Sequence, residues 1–312
     1  MNRPAISVVV IGHRNEGSIL QAIASVVAQE APEPAEVVVV TSGGDRSGAL
    51  VRERYPELRL VERDDRLLPG AARNRGAALA HGGVIAYLAA DCVAEPGWVA
   101  GRLAAHGAGH RAVASAVTLA GPRTPASWAA YYLGFAARQP GRRPGPMAWP
   151  DGGAHGMSFD RDVLEEIGRF PEDVRVGEDT EAARRLAGLG IEIWYEPAVR
   201  TAHLGPRGLR DMLRDQFRRG ALRAGGGMQW PEAPAVRFAW RALLAGGRRL
   251  RIVLRAALAF ERRGWRPVVL LPWIAAGAAA EQAGWASRQW RMRRRPPGSL
   301  RPAGGLRAAP LL

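Results

Sequence analysis

Hydrophobic and polar positions alternate between two periods along the first third of the chain. Ile6 to Ile11 is a run too apolar to alternate, which predicts a strand covered on both faces. From Glu16 to Gln29 the positions Ile19, Leu20, Ile23, Val26 and Val27 recur at helical spacing, and Glu36 to Val40 repeats the buried-strand signal. This is a βαβ unit. The pattern continues with a helix near Gly48 to Tyr55, a strand at Leu58 to Glu62, a helix near Gly70 to His81 and a strand at Val84 to Ala89. The economical expectation is an α/β, Rossmann-like, mostly parallel sheet flanked by helices.

In such a sheet, chemistry gathers beyond the carboxyl ends of the strands. Those positions hold GHRNEG (Gly12–Gly17), TSGGDRSG (Thr41–Gly48) and AADCVAEPGW (Ala89–Trp98). Between them, LLPGAARNRGAALAHG sets Arg73, Asn74 and Arg75 near a helix start, where free amides and guanidinium groups suit a phosphate. Further along, GEDTEAARRLAGLG places two adjacent carboxylates, Glu178 and Asp179, at a helix head. Acidic residues there complement the helix dipole, so position alone gives them no catalytic role.

Composition narrows the classes. The chain has 312 residues, 47% of them apolar, which excludes a disordered chain and allows one large domain with an appendage. The single cysteine, Cys92, excludes an intramolecular disulfide and a cysteine-rich zinc site, and fits a reducing compartment. The first residues carry no secretory-type hydrophobic region and read as folded. All 44 basic residues are arginine, and the net charge of +15 calls for an anionic partner.

Five pieces stand in order over Ala5 to Arg223: RNE, GAARNRGAALA, an aspartate after an apolar strand followed by EPGW, GMSFDRDVLEEIGRF, and GEDTEAARRLAGLG. Together they resemble the family-2 glycosyltransferases of GT-A fold. The resemblance implies inverting transfer of a sugar from a nucleotide-diphosphate donor, with Mg²⁺ or Mn²⁺ as cofactor. It implies a donor site at Arg14, Asn15, Glu16, Ser42, Arg73, Asn74 and Asp91. Asp91 matches the second aspartate of the family's DxD motif and His203 the histidine that some relatives use beside it, so both are candidate metal ligands. Asp179 matches the catalytic base, with Glu178 orienting the acceptor. His155, Gly156, Gln216 and Arg219 are the implied acceptor and diphosphate contacts. The chain departs from the family pattern at Gly12, at Thr41 and Ser42, and at Ala89, where proline and acidic residues are usual. The last two changes thin out the metal and nucleobase contacts.

After Arg223 the composition changes. Gly225–Gly227 and Pro231–Pro234 mark a linker, followed by an arginine- and tryptophan-rich tail. Arg248, Arg251, Arg255 and Arg262 share one helical face and Leu250, Val253, Leu254, Ala257 and Phe260 the other, the pattern of a basic interfacial helix. The uncharged run Pro267–Ala280 is shorter than the roughly 20 residues a span requires. It reads as a dip or re-entrant hairpin with Trp265, Trp273, Trp285 and Trp290 as interface anchors. The cluster from Arg291 to Pro297 marks the cytoplasmic side.

The sequence thus predicts a catalytic domain over 1–225, a helical membrane-interfacial tail over 226–297 and a disordered end over 298–312. The implied protein is a cytoplasmic enzyme, peripheral on the inner face of the cell membrane, acting on a lipid-linked or polysaccharide acceptor in cell-envelope glycan synthesis. Its partners are a nucleotide sugar, that acceptor and an anionic membrane surface. A nucleic-acid partner is not expected, because the arginines gather in the tail without interleaved aromatics. The alternative is a GT-A-like protein that binds nucleotide sugars without transfer.

Overall fold

The computed structural model describes residues 4–32, 35–147, 156–224, 235–261 and 264–293. His155, the linker, Arg262 and the C-terminal end lie outside them. In chain order the elements are β1 (Ile6–His13), α1 (Ile19–Val27), β2 (Glu36–Ser42), α2 (Ser47–Arg54), β3 (Arg59–Arg63), α3 (Pro69–Leu79), β4 (Val84–Ala89), β5 (Cys92–Ala94), α4 (Trp98–Gly107), β6 (Ala112–Ala120) and α5 (Pro125–Phe135). They continue with β7 (Gly145–Met147), β8 (Met157–Asp160), α6 (Arg161–Glu166), α7 (Glu178–Gly188), β9 (Ile193–Leu204), α8 (Leu209–Arg223), α9 (Ala235–Phe260), α10 (Arg266–Val269) and α11 (Leu271–Arg293).

The chain divides into two compact units, Met1–Ala120 with Arg138–Leu204, and Gly121–Ala137 with Gly205–Leu312. The first is built on one sheet, ordered β3-β2-β1-β4-β8-β6-β9-β5, with β7 added to β9. Strands β1 to β4 pair in parallel, as their apolar runs predict. Val8, Val10, Val37 and Val39 fill one face of the sheet together with Ile19 and Ile23 of α1. On the other face α3 approaches so closely that a Cβ on Gly76 would meet Val9 Cγ1 at 2.1 Å.

The rest of the sheet departs from the expected parallel order and makes the whole mixed. β8 runs antiparallel to both β4 and β6, and β5 and β7 run antiparallel to β9. β8, β5 and β7 have only four, three and three residues.

A buried polar network crosses this half of the sheet. Arg102 is fully buried, lies over the Trp98 ring at 4.0 Å, and donates to Ser158 Oγ at 2.9 Å and to the Gly156 carbonyl. His106 lies between Ser158 Oγ at 2.9 Å and Asp160 Oδ1 at 2.7 Å. A neutral ring with its proton on Nδ1 satisfies both partners. Burial, with the charge of Arg102, pushes His106 down to about 3. Its folded pKa is therefore depressed, so its contribution to stability is complete above pH 6.5 and declines as pH falls toward about 3.

The second unit is helical. α11 packs on α8 through small residues: a Cβ on Gly220 would meet the Glu281 carbonyl oxygen at 1.8 Å, and one on Gly284 that of Phe217 at 1.9 Å. In α9, Val253 and Ala257 are buried while Arg248, Arg251 and Arg255 are exposed, the division of faces that the periodicity predicts. Among the described residues no helix is long and apolar enough to cross a membrane. The apolar run from Pro267 is spent partly on packing, since Pro267, Leu270, Ile274 and Ala278 are buried.

Urea unfolding at pH 7 and pH 5 tests the histidine assignment. Wild-type protein loses stability over this range with a His106 contribution of up to about 1.4 kcal/mol per pH unit, and His106→Gln removes that contribution. An unchanged slope contradicts it.

Candidate active site

Three loops at the carboxyl edge of the first unit's sheet carry the predicted residues. The first joins the ends of β1 and β2. Arg14 has a left-handed backbone at φ 56° and donates from its amide to Ser42 O at 3.2 Å and from Nε to Gly43 O at 3.0 Å. Gly43 is itself at φ 100°, and a Cβ there would sit 2.6 Å from the His13 ring, so only glycine fits. Asn15 accepts from the His13 amide at 2.8 Å through Oδ1. Glu16 leaves its side chain exposed while its amide donates to Asp45 Oδ2 at 3.2 Å. Ser42 is buried, with its Oγ 3.3 Å from His13 Nδ1. Burial first, then the charges of Arg66 and Arg14, lower the pKa of His13. The loop is thus closed on itself by Asp45, whose carboxylate also takes the Ser47 amide and hydroxyl.

The second group ties α3 to the head of α7. Arg73 Nη1 donates to Glu178 Oε1 at 2.6 Å, and both side chains are buried. Arg73 also lies over the Phe170 ring at 5.2 Å. Asn74 donates to Phe170 O at 2.8 Å and Glu172 Oε1 at 2.9 Å, and accepts from the Phe170 amide at 3.0 Å. Two of the three residues that the sequence offers to a phosphate, Arg73 and Asn74, therefore bond to the head of α7 and the segment leading into it, while Arg75 is exposed. Gly177, left-handed at φ 97°, turns the chain into that helix. Burial raises the pKa of Glu178; Arg73 opposes the shift and Asp179 adds to it. Asp179 has no part in this pair. It is half-buried, and its Oδ1 accepts only from its neighbour Thr180 among the described residues, from the amide at 2.7 Å and the hydroxyl at 3.4 Å.

The third group forms where β5 meets β9. Register pairs Cys92 with His203, and the Leu204 amide donates to Asp91 O at 2.9 Å. His203 Nε2 consequently stands 3.6 Å from Asp91 Oδ2, and ligand atoms of Asp91, Cys92 and His203 lie within 4.8 Å of one another. The Asp91 side chain is 46% exposed, whereas Cys92 is 1% exposed. Burial, then the adjacent Asp91, push the Cys92 thiol well up, and Sγ–H points to Asp91 Oδ1 at 3.6 Å. The donor set is therefore a carboxylate and an imidazole with a neutral thiol behind them. Such a pair suits Mn²⁺ or Mg²⁺ and leaves most of the coordination sphere for other oxygens.

Sequence reasoning passed over Arg138. It is buried, donates to Ser115 O at 3.1 and 2.9 Å, and is lowered to about 10 by burial, with Tyr195, Asp179 and Cys92 opposing the shift. A buried cation thus acts electrostatically on Asp179 and Cys92, and nothing in AARQPGRR distinguishes it from its neighbours. Gly156, left-handed at φ 63°, presents its carbonyl to Ser115 Oγ at 3.0 Å. Gln216 and Arg219 belong to the second unit. There Gln216 is buried and Arg219 Nε donates to Asp215 at 2.8 Å.

Removing one member of a buried ion pair strands the other, at a cost of about 3–5 kcal/mol. Arg73→Met should destabilise the first unit by about that amount in urea, and Arg73→Met with Glu178→Met should recover most of it. Equal losses in the single and double variants would contradict the pairing.

The sequence matches the model of the family described as Glycosyl transferase family 2 over residues 7–168, just over half of the chain. A search of curated protein sequences found no match. Among solved structures, the fold resembles mannosyltransferase PcManGT from Pyrobaculum calidifontis in complex with GDP-Man and Mn²⁺. The TM-score is 0.53 at 21% identity, covering 90% of this chain and 74% of that one. It also resembles GalNAc-T7 with UDP, GalNAc and Mn²⁺, with a TM-score of 0.51 at 15% identity, covering 74% of this chain and 52% of that one. A wound parallel half-sheet, a mixed second half and the motif residues gathered at its carboxyl edge agree with the family match: the chain is a GT-A-fold glycosyltransferase and belongs to glycosyl transferase family 2.

Proposed function

We propose that the protein transfers a sugar, with inversion, from a nucleotide-diphosphate donor to a hydroxyl of a lipid-linked or polysaccharide acceptor at the inner face of the cell membrane. The observation that carries this reading is the division of the adjacent carboxylates. Glu178 is turned inward onto Arg73, and Asp179 is left half-exposed at the head of α7. In the reaction the acceptor oxygen bonds to the anomeric carbon as the bond from that carbon to the diphosphate oxygen breaks. Asp179 takes the acceptor's proton. Glu178 acts through position: held by Arg73, it fixes the first turn of α7 and with it the direction of its neighbour.

Arg14, Asn15, Glu16 and Ser42 form the donor's nucleoside side, on a loop that Asp45 and Gly43 hold in one shape. Arg73 and Asn74 serve the same site by anchoring the segment before α7. Asp91 and His203 would hold Mn²⁺ or Mg²⁺. When bound, the ion supplies charge neutralisation for the departing diphosphate. The related mannosyltransferase and GalNAc-T7 structures, which hold GDP-Man or UDP together with Mn²⁺, support a nucleotide-sugar donor and favour Mn²⁺. The basic face of α9 supports attachment to an anionic membrane surface, where a lipid-linked acceptor is concentrated. A second reading, donor binding without transfer, rests on Thr41, Ser42 and Ala89 standing where the family carries acidic residues.

Release of nucleoside diphosphate from a panel of nucleotide sugars, with and without acceptor, separates the two readings. Asp179→Asn should keep donor affinity and lose about 10²- to 10⁴-fold in transfer. A loss under about tenfold removes Asp179 from the role of base. Replacing either Asp91 or His203 with alanine should weaken Mn²⁺-dependent donor binding, read by calorimetry, while binding without metal stays unchanged. Equal Mn²⁺ dependence in wild type and both variants would show that these residues do not hold the ion.

A further inference from the structure

Among the described residues of the second unit, exposed large apolar side chains gather at the corner between α9 and α11. Trp265 is 62% exposed, Val268 58%, Val269 57% and Leu271 39%. Pro267 and Leu270, interleaved with them in the same turn, are buried. The corner therefore has an inner side that fixes it and an outer side that no described residue covers. Leaving four large apolar side chains adjacent in water is unfavourable, and patches of this kind mark interaction sites.

What flanks the corner selects the partner. Along α9 the exposed stripe reads Arg248, Arg251, Ile252, Arg255, Leu258 and Ala259. Basic residues occupy its first two turns, about 10 Å of helix, and apolar ones the end next to the corner. From Ala235 to Ala280 the only acidic residue is Glu261. It is occupied, accepting from Tyr132 Oη and standing 3.7 Å from Arg266, whose guanidinium lies over Trp128 at 4.0 Å. Among the described residues of the corner the cation Arg266 is thus paired and covered, and Arg248, Arg251 and Arg255 stand back from it along α9. A gradient from basic to apolar over one exposed surface matches the step from anionic headgroup to acyl chain, with a tryptophan at the boundary.

We propose that the α9–α11 corner is a membrane wedge: Trp265, Val268, Val269 and Leu271 enter the acyl boundary of an anionic leaflet while Arg248, Arg251 and Arg255 engage its phosphate headgroups. The wedge rests on the membrane attachment proposed above and adds insertion to it. Attachment by charge alone needs no apolar contact, so the two can fail separately.

The test uses the full chain and vesicles of phosphatidylcholine alone or with one quarter phosphatidylglycerol. Val268→Cys carries an environment-sensitive fluorophore, because the single native thiol, Cys92, is buried. The expected result is co-sedimentation with the anionic vesicles only. Emission from position 268 should shift to the blue and be quenched by lipids brominated in the acyl chain. Val268→Asp with Val269→Asp should weaken vesicle binding at least tenfold while circular dichroism stays unchanged. Binding to anionic vesicles with an unquenched label and an unaffected double aspartate variant overturns the wedge and leaves attachment by charge. No binding to either vesicle overturns both. Self-association without lipid that the double aspartate variant abolishes would assign the patch to a second copy of the chain and also overturn the wedge.

Discussion

The buried pair between Arg73 and Glu178 is the constraint on which the site depends. It joins two helices 105 residues apart in sequence, and neither charge is stable in the interior without the other. The pair engages the charge of Glu178 in the interior, while the adjacent Asp179 stays partly exposed, the difference on which the proposed division of roles rests. Asn74 closes the same joint from one residue further along, gripping Phe170 through both its amide and its carbonyl. Together they decide where α7 begins, and hence where Asp179 points.

The other two loops solve related problems by different means. The β1–β2 loop has no buried ion pair. It relies on Asp45 as a three-way acceptor for two neighbouring amides and a hydroxyl, and on left-handed backbone at Arg14 and Gly43. The Asp91 cluster is set by strand register, which places His203 opposite Cys92 and beside Asp91. Buried Arg138 adds a positive charge whose field reaches Asp179 and Cys92.

The parallel half of the fold was legible because β1, β2 and β4 are buried on both faces and leave unbroken apolar runs. The mixed half was not: β5, β7 and β8 are too short to carry a period, and their direction is decided by pairing with β9, β6 and β4 across long stretches of chain. The same distinction holds in the site. RNE, the carboxylates of GEDTE and Asp91 are candidates drawn from ordered motifs, and His203 from its likeness to a histidine of some relatives, whereas the engagement of Arg73 with Glu178 is a tertiary fact. An arginine at a helix start has the same sequence signature whether it meets a phosphate or a buried glutamate. In the tail, periodicity gave the two faces of α9 correctly, but the packing of α11 on α8 depends on Gly220 and Gly284, which carry no hydrophobic signal.

The central claim is that Glu178 holds and Asp179 reacts. Single-turnover transfer and urea unfolding, measured side by side on Glu178→Gln and Asp179→Asn with the donor identified by the screen, test it directly. The account predicts that Asp179→Asn unfolds at the wild-type urea concentration and is the slower by far in transfer. Glu178→Gln should unfold at a clearly lower concentration and retain measurable chemistry. A Glu178→Gln protein of wild-type stability that is as inactive as Asp179→Asn would contradict it.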